Sequence, residues 1–161
     1  MVTRYEIREM TCADYDQAYR LWTECPGLCL GDDDTRPRIE LYLRRNPGLC
    51  FAAVSEGKLV GTVLCGHDGR RGILRHLAVQ QEHRRKGIAR ALINVGLSAL
   101  ANSGIKKCNL FVEDHNPDGL RFWEHLGWYH IKDDFRILQT QIPVPDVHEE
   151  LDGVLPPNKA P

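Results

Sequence analysis

The period of apolar and polar positions changes several times along the chain, and the changes predict the order of its elements. Tyr5-Glu6-Ile7-Arg8 alternates as a short strand does, and Thr11 and Asp14 then stand where side chains satisfy the free N–H groups of a helix start. Tyr15, Ala18, Tyr19 and Trp22 follow at i, i+3, i+4 and i+7, so they share one face of a first helix, which Pro26-Gly27 ends. Beyond a loop at Gly31-Asp32-Asp33-Asp34-Thr35, residues Pro37 to Arg45 put Ile39, Tyr42 and Leu43 on one side of a second helix that stops at Asn46-Pro47-Gly48.

From Leu49 to Ala78 the texture is that of strands. Cys50 to Val54 and Leu59 to Cys65 flank a turn at Glu56-Gly57-Lys58, which predicts an antiparallel hairpin, and a second turn at Asp68 to Gly72 leads into a strand from Ile73 to Val79. Ile88, Ala91, Leu92, Val95 and Ala99 then mark the buried face of a long helix from Gly87 to Asn102, ended by Ser103-Gly104. Cys108, Leu110 and Val112 alternate as one more strand. A last helix runs from Pro117 or Asp118, capped by Asn116, through Phe122, Trp123 and Leu126 to Gly127. Trp128 to Ile131 and Phe135 to Gln141 read as closing strands.

The 161 residues suit one domain, and 27% charged against 42% hydrophobic residues is the balance of an ordinary globular chain. Beyond Pro143 the composition turns proline-rich and acidic, with Asp146, Glu149, Glu150 and Asp152 against Lys159. Residues 1–142 are therefore read as the domain and 143–161 as a flexible or partner-dependent tail. A net charge of -1 gives no field that draws the whole molecule to nucleic acid. No apolar run approaches the roughly 18 residues of a membrane span, and the start does not read as a signal peptide, so a cytoplasmic protein is expected. The six cysteines lack paired spacing, which predicts free, mostly buried thiols; Cys25 and Cys29 could hold a metal only with two further ligands, and no metal is expected.

The most informative stretch is Leu77-Ala78-Val79-Gln80-Gln81-Glu82-His83-Arg84-Arg85-Lys86-Gly87-Ile88-Ala89-Arg90. A strand passes into a basic, glycine-containing turn that starts a long helix. Such a turn gathers unpaired N–H groups and the positive end of a helix dipole beside Arg84, Arg85, Lys86 and Arg90, a setting that binds phosphate. Gly87 and Ala89 are small where a diphosphate has to reach the backbone. The segment is neither a Walker loop nor a dinucleotide fingerprint, because it lacks both glycine patterns.

Arg84-Arg85-Lys86-Gly87-Ile88-Ala89 resembles the Q/R-x-x-G-x-G/A signature of the GCN5-related N-acetyltransferases. Asn116 to Trp128 resembles the same family's downstream Asn, Phe-Tyr and Gly-Phe segment. The likeness covers about Tyr5 to Gln141 and is nearest to the small bacterial branch that includes ribosomal-protein alanine acetyltransferases. It implies an α/β (α+β) fold with a mixed, largely antiparallel central sheet flanked by about four helices. It also implies acetyl-CoA as co-substrate and a primary amine as acceptor, attacking directly in a ternary complex. By that likeness the main chain of Leu77, Ala78 and Val79 pairs with the pantetheine arm, Arg84 to Arg90 hold the pyrophosphate, and Asn116 and Phe122 face the arm. A homodimer through the closing strands is a further possibility of the family.

Acetyl transfer to an amine needs a proton acceptor, and His76, Glu113 and Asp114 are the candidates near the expected cleft. A backbone N–H on the strand from His76 to Val79 is expected to polarise the thioester carbonyl. The family's tyrosine acid is replaced by Trp123, whose indole does not titrate; Tyr129 is a displaced hydroxyl that could substitute. Asp32, Asp33 and Asp34 form an acidic run that would attract an amine or simply cap the next helix. Two other readings stay open: an acyl-CoA-binding module that lost its chemistry with the tyrosine, and an interaction protein working through the tail.

Overall fold

The computed structural model describes residues 4–131 and 137–143. Five strands form one sheet in the order β1 (Glu6–Glu9), β2 (Phe51–Ser55), β3 (Lys58–His67), β4 (Gly72–Val79) and β5 (Cys108–Asn109). The first three pairings are antiparallel and only β4–β5 is parallel, so the mixed, largely antiparallel sheet expected of the fold is present. Four helices flank it: α1 (Tyr15–Glu24), α2 (Arg36–Arg45), α3 (Ile88–Asn102) and α4 (Pro117–His125).

Two apolar clusters, one on each face, explain the texture of the central strands. Trp22, Ala18, Leu21 and Tyr15 of α1 join Ile39 and Leu43 of α2 over Ala52, Leu64 and Ala78. Ile88, Leu92, Ile93 and Leu100 of α3 cover Val60, Val63, Cys65 and Leu74 on the other side. β3 is therefore buried on both faces from Leu59 to Gly66, and it reads as a continuous apolar run rather than an alternation. Leu21 completes the α1 face that Tyr19 was expected to share, since Tyr19 is 38% exposed. Gly96 lets α3 lie close on the sheet, because a Cβ there would come 2.7 Å from Cys65 Sγ.

Local signals near the N-terminus act as read. Asp14 Oδ2 accepts from Thr11 N–H at 2.8 Å, and Arg8 grips the same carboxylate through both guanidinium nitrogens at 2.7 and 2.8 Å. That pairing with Arg8 holds the Asp14 carboxyl below its ordinary range. In the β2–β3 hairpin Glu56 and Gly57 both take positive φ, 50° and 77°, as a tight primed turn requires.

The strand readings near the C-terminus are corrected. Only Cys108 and Asn109 of the stretch through Val112 form a strand, and neither Trp128 to Ile131 nor residues 137–141 do; residues 132–136, including Phe135, lie outside the described residues. A ladder needs a partner edge, and β5 ends after two residues. Tyr129, Ile131, Ile137, Leu138 and Ile142 are correspondingly exposed. The tail beyond Pro143 also lies outside the described residues. Burial pushes the Cys50 and Cys65 thiols up to about 12 and Cys108 to about 11; Cys29 is the exposed member of six free cysteines.

Candidate active site

β5 pairs with β4 only at Gly72 and Ile73, which face Cys108 and Asn109; past that point no ladder joins them. Leu74 to Val79 thus lack a β5 partner among the described residues, and β4 presents there an edge without a strand beside it, the border of the candidate cleft. The edge is wired for pairing at its far end. Gln80 N–H bonds Val60 O on β3 at 2.8 Å, so by alternation the polar groups of Val79 point the other way, into the cleft. Arg84 Nε already donates to the Val79 carbonyl at 3.0 Å.

The turn after β4 enters α3 through left-handed backbone. Arg85 and Gly87 take positive φ, 63° and 82°, and Gly87 is the N-cap of α3. The first intrahelical bond is Ala91 N–H to Gly87 O, at 3.0 Å, which leaves the N–H groups of Ile88, Ala89 and Arg90 free as in any first helical turn. Those of Arg85, Lys86 and Gly87 also meet no acceptor among the described residues. A Cβ built on Gly87 finds nothing closer than Tyr5 Oη at 4.0 Å, so the space before the backbone is open. Arg85, Lys86 and Arg90 are exposed around it. Residues here fit a diphosphate, and the open β4 edge leading to them fits an extended amide arm.

At the middle of β4 the alternation breaks. Thr62 faces Ala78 but Leu64 faces Arg75, so β4 carries one extra residue, and His76 sits in the bulge at φ 49°. Leu74 and Leu77, three apart, consequently both face the cluster under α3. His76 turns to the opposite face, with its ring centroid 4.5 Å from that of Trp22. A relay holds the bulge: Trp22 Nε1 donates to Thr62 Oγ1 at 2.8 Å, and Thr62 Oγ1 donates to His76 O at 2.8 Å.

The acidic run divides. Asp32 and Asp33 are exposed, whereas Asp34 is buried in a 3₁₀ turn, where Oδ2 accepts from Gly31 N–H at 2.8 Å and Oδ1 lies 2.7 Å from His76 Nε2. Tyr15 Oη donates to the Asp34 carbonyl at 2.8 Å. Two residues read separately from the sequence, one as a base and one as a substrate contact, are thus partners in one buried dyad. Burial lowers the His76 pKa, and Asp34 opposes that effect without overcoming it. Neutral His76 donates through Nε2, leaving Nδ1 as an acceptor that is buried without a partner.

The sign of this shift predicts a pH dependence. A histidine neutral in the fold but ordinary when unfolded stabilises the protein fully above about pH 6.5, and that contribution is lost as the pH falls toward the folded value. Urea unfolding between pH 7.5 and 5 should show stability falling by up to about 1.4 kcal/mol per pH unit below pH 6.5. His76→Gln should flatten that slope; an unchanged slope in the variant would assign the loss to other groups.

The remaining candidates gather less tightly. Glu113 accepts from Cys29 Sγ and lies 2.8 Å from His115 Nε2. Asn116 caps α4 by accepting from Gly119 N–H at 2.9 Å, and its amide lies so close to Gly27 that a Cβ there would meet Nδ2 at 2.4 Å. Arg84 Nη2 reaches Cys25 Sγ at 3.7 Å. The loop after α1 therefore touches both walls of the cleft, a bridge that no spacing in the sequence announces. Phe122 is 38% exposed beside Trp123, while Trp123 packs on Trp128 and the cluster under α3. Tyr129, 82% exposed, does not join the dyad. Among the described residues no group of three His, Cys, Asp or Glu can hold a metal ion, and no helix is long and apolar enough to cross a membrane.

The model of the acetyltransferase (GNAT) family matches residues 15–128, and the chain belongs to that family. The class so defined is an acetyl-CoA-dependent N-acetyltransferase. Solved structures of the same fold include Ard1 from Thermoplasma volcanium, with TM-score 0.70, 22% identity and coverage of 80% of this chain and 84% of that one. A ribosomal-protein-alanine N-acetyltransferase from Brucella melitensis biovar Abortus has TM-score 0.63 and 24% identity, covering 84% and 99%. The PaiA N-acetyltransferase from Thermoplasma acidophilum, solved with coenzyme A, has TM-score 0.66 and 17% identity, covering 76% and 88%.

Proposed function

We propose that the protein moves the acetyl group of acetyl-CoA to a primary amine, at a protein N-terminus, a lysine or a small molecule, by direct attack in a ternary complex. The observation that carries this is the free β4 edge running into the Gly87 turn, which offers consecutive sites for an amide arm and a diphosphate. When bound, acetyl-CoA supplies the activated thioester. Leu77 to Val79 orient its arm through main-chain pairing, with Arg84 leaving the Val79 carbonyl, and the turn from Arg84 to Arg90 neutralises its phosphates.

His76 is assigned the proton-accepting role. Its Nδ1 is unprotonated at neutral pH, its tautomer is set by Asp34, and it sits in the bulge beside the open edge. Glu113 is already shared between Cys29 and His115. Trp123 points to a second reading, an acyl-CoA-binding module: the residue in the place of the family's tyrosine is an indole packed on the core, with no proton to give a departing thiolate. A thiol of pKa near 8.5 leaves without such help, and general acid catalysis is worth about 100- to 10,000-fold, so slow transfer is expected. Calorimetry should give micromolar acetyl-CoA binding, and a free-thiol assay over a panel of amines should then give amine-dependent turnover that His76→Gln lowers. Binding without turnover would favour the module, and no binding would overturn both readings.

A further inference from the structure

At the closed end of the cleft lies a cavity of about 530 Å³ that the cofactor reading does not use. Its inner wall includes Gly72, Ile73 and Asn109, three of the four residues that join β4 to β5. The outer wall is a second stripe of α2. Arg38, Leu41, Tyr42 and Arg45 recur at i, i+3, i+4 and i+7 on that wall, and Arg71 faces them from the β3–β4 turn. Among the described residues none of these three arginines pairs with a carboxylate. The one acid of the wall among the described residues, Asp68, is already occupied by the backbone N–H groups of Arg70 and Arg71 at 2.7 Å and lies 4.0 Å from Arg70 Nη2. Arg75 adds a fourth cation, set 5.4 Å over the ring of Phe111 on the cavity wall.

Charge at the other end of the same face has the opposite sign. His76 stands three residues beyond Ile73, about 10 Å along the strand, and Asp34 brings the exposed Asp32 and Asp33 to that point. An acceptor lying along this face meets negative charge beside the proposed site of attack and positive charge about 10 Å away. An extended peptide advances about 3.3 to 3.6 Å per residue, so the cavity lies some two to four residues behind the amine.

We infer that the cavity selects the acceptor: it binds carboxylates two to four residues behind the reacting amine, and the substrate is an acidic polypeptide N-terminus. This rests on the acetyl-transfer reading for the amine, whereas binding of the acidic segment can be measured without it. The fork geometry of arginine suits carboxylates, and three guanidiniums around one cavity, unpaired among the described residues, disfavour a basic segment by repulsion as well as favouring an acidic one.

The test uses the full chain and peptides that begin with alanine followed by three glutamates, three glutamines or three lysines. The glutamate peptide should exceed the glutamine peptide about 10-fold or more in kcat/KM, through KM, and the lysine peptide should be poorest. The advantage should shrink as salt is raised. Arg45→Ala/Arg71→Ala, both exposed positions, should bring the glutamate peptide to within about 2-fold of the glutamine peptide while leaving acetyl-CoA affinity unchanged. Equal rates for the peptides, or a preference that survives in the double variant, would overturn the inference. If no peptide is acetylated, calorimetry in the presence of coenzyme A decides: glutamate-peptide binding lost in the double variant keeps the cavity assignment while the transfer reading fails, and no binding removes the assignment too.

Discussion

Gly87→Glu is expected to weaken coenzyme A binding at least about 100-fold, equivalent to about 2.7 kcal/mol, while leaving a folded protein. Three effects add. The residue holds φ 82°, which a side chain adopts at a cost of order 1–2 kcal/mol. The space a Cβ enters is empty of protein atoms within 4 Å except Tyr5 Oη at that distance, so the new side chain stands where the diphosphate would approach the N–H groups. The added carboxylate also opposes the phosphate charge at the helix start. Gly87→Ala, which keeps only the first effect and a smaller part of the second, should lose about 10-fold. Calorimetric titration with coenzyme A, beside a thermal melt, separates binding from folding; affinity within about 3-fold of wild type in Gly87→Glu would move the phosphate site elsewhere.

Trp22→Ala should be the most damaging single change to the fold, at about 3 to 5 kcal/mol, lowering Tm by about 10 °C or more. Trp22 is fully buried, is among the largest side chains of its cluster, and donates to Thr62, whose hydroxyl in turn holds the carbonyl of the bulged His76. Trp22→Phe keeps most of the volume and loses the donor, so it should cost about 1 to 3 kcal/mol and chiefly disturb the bulge. Equilibrium urea unfolding reads the first effect. A fall in amine turnover in Trp22→Phe with unchanged coenzyme A affinity reads the second, and a variant unaffected in both would show that the bulge holds without the relay.

The basic cavity and the dyad bear on each other. His76 is tied to Asp34 on the loop before α2, and α2 carries Arg38 and Arg45, so one short segment positions both the proposed proton acceptor and the proposed acceptor-binding wall. The cavity stripe of α2, with Arg38 and Arg45 exposed at its ends, lies beside the core stripe of Ile39 and Leu43. The two stripes have the same period and differ only in which side of the helix they occupy.

Period and punctuation by themselves determined most of the elements. Asn116 caps α4, Gly87 begins α3, and the turns at Glu56-Gly57 and Asn46-Pro47-Gly48 fall where they were read, because caps, turns and apolar faces are properties of neighbouring residues. The turn from Arg84 to Ala89 into α3 was equally legible, since a helix start is built from consecutive backbone groups. What only the tertiary structure decided depends on residues far apart in the chain. The bulge at His76 exists because Trp22 and Thr62 hold it, and the His76–Asp34 pair closes a separation of 42 residues that no local pattern encodes. The same reason accounts for the strands that did not form: Leu110 and Val112 continue the alternation of a strand and Trp128 to Ile131 is rich in strand-forming residues, but such patterns supply only a preference, and a strand is made by the hydrogen-bonding edge beside it.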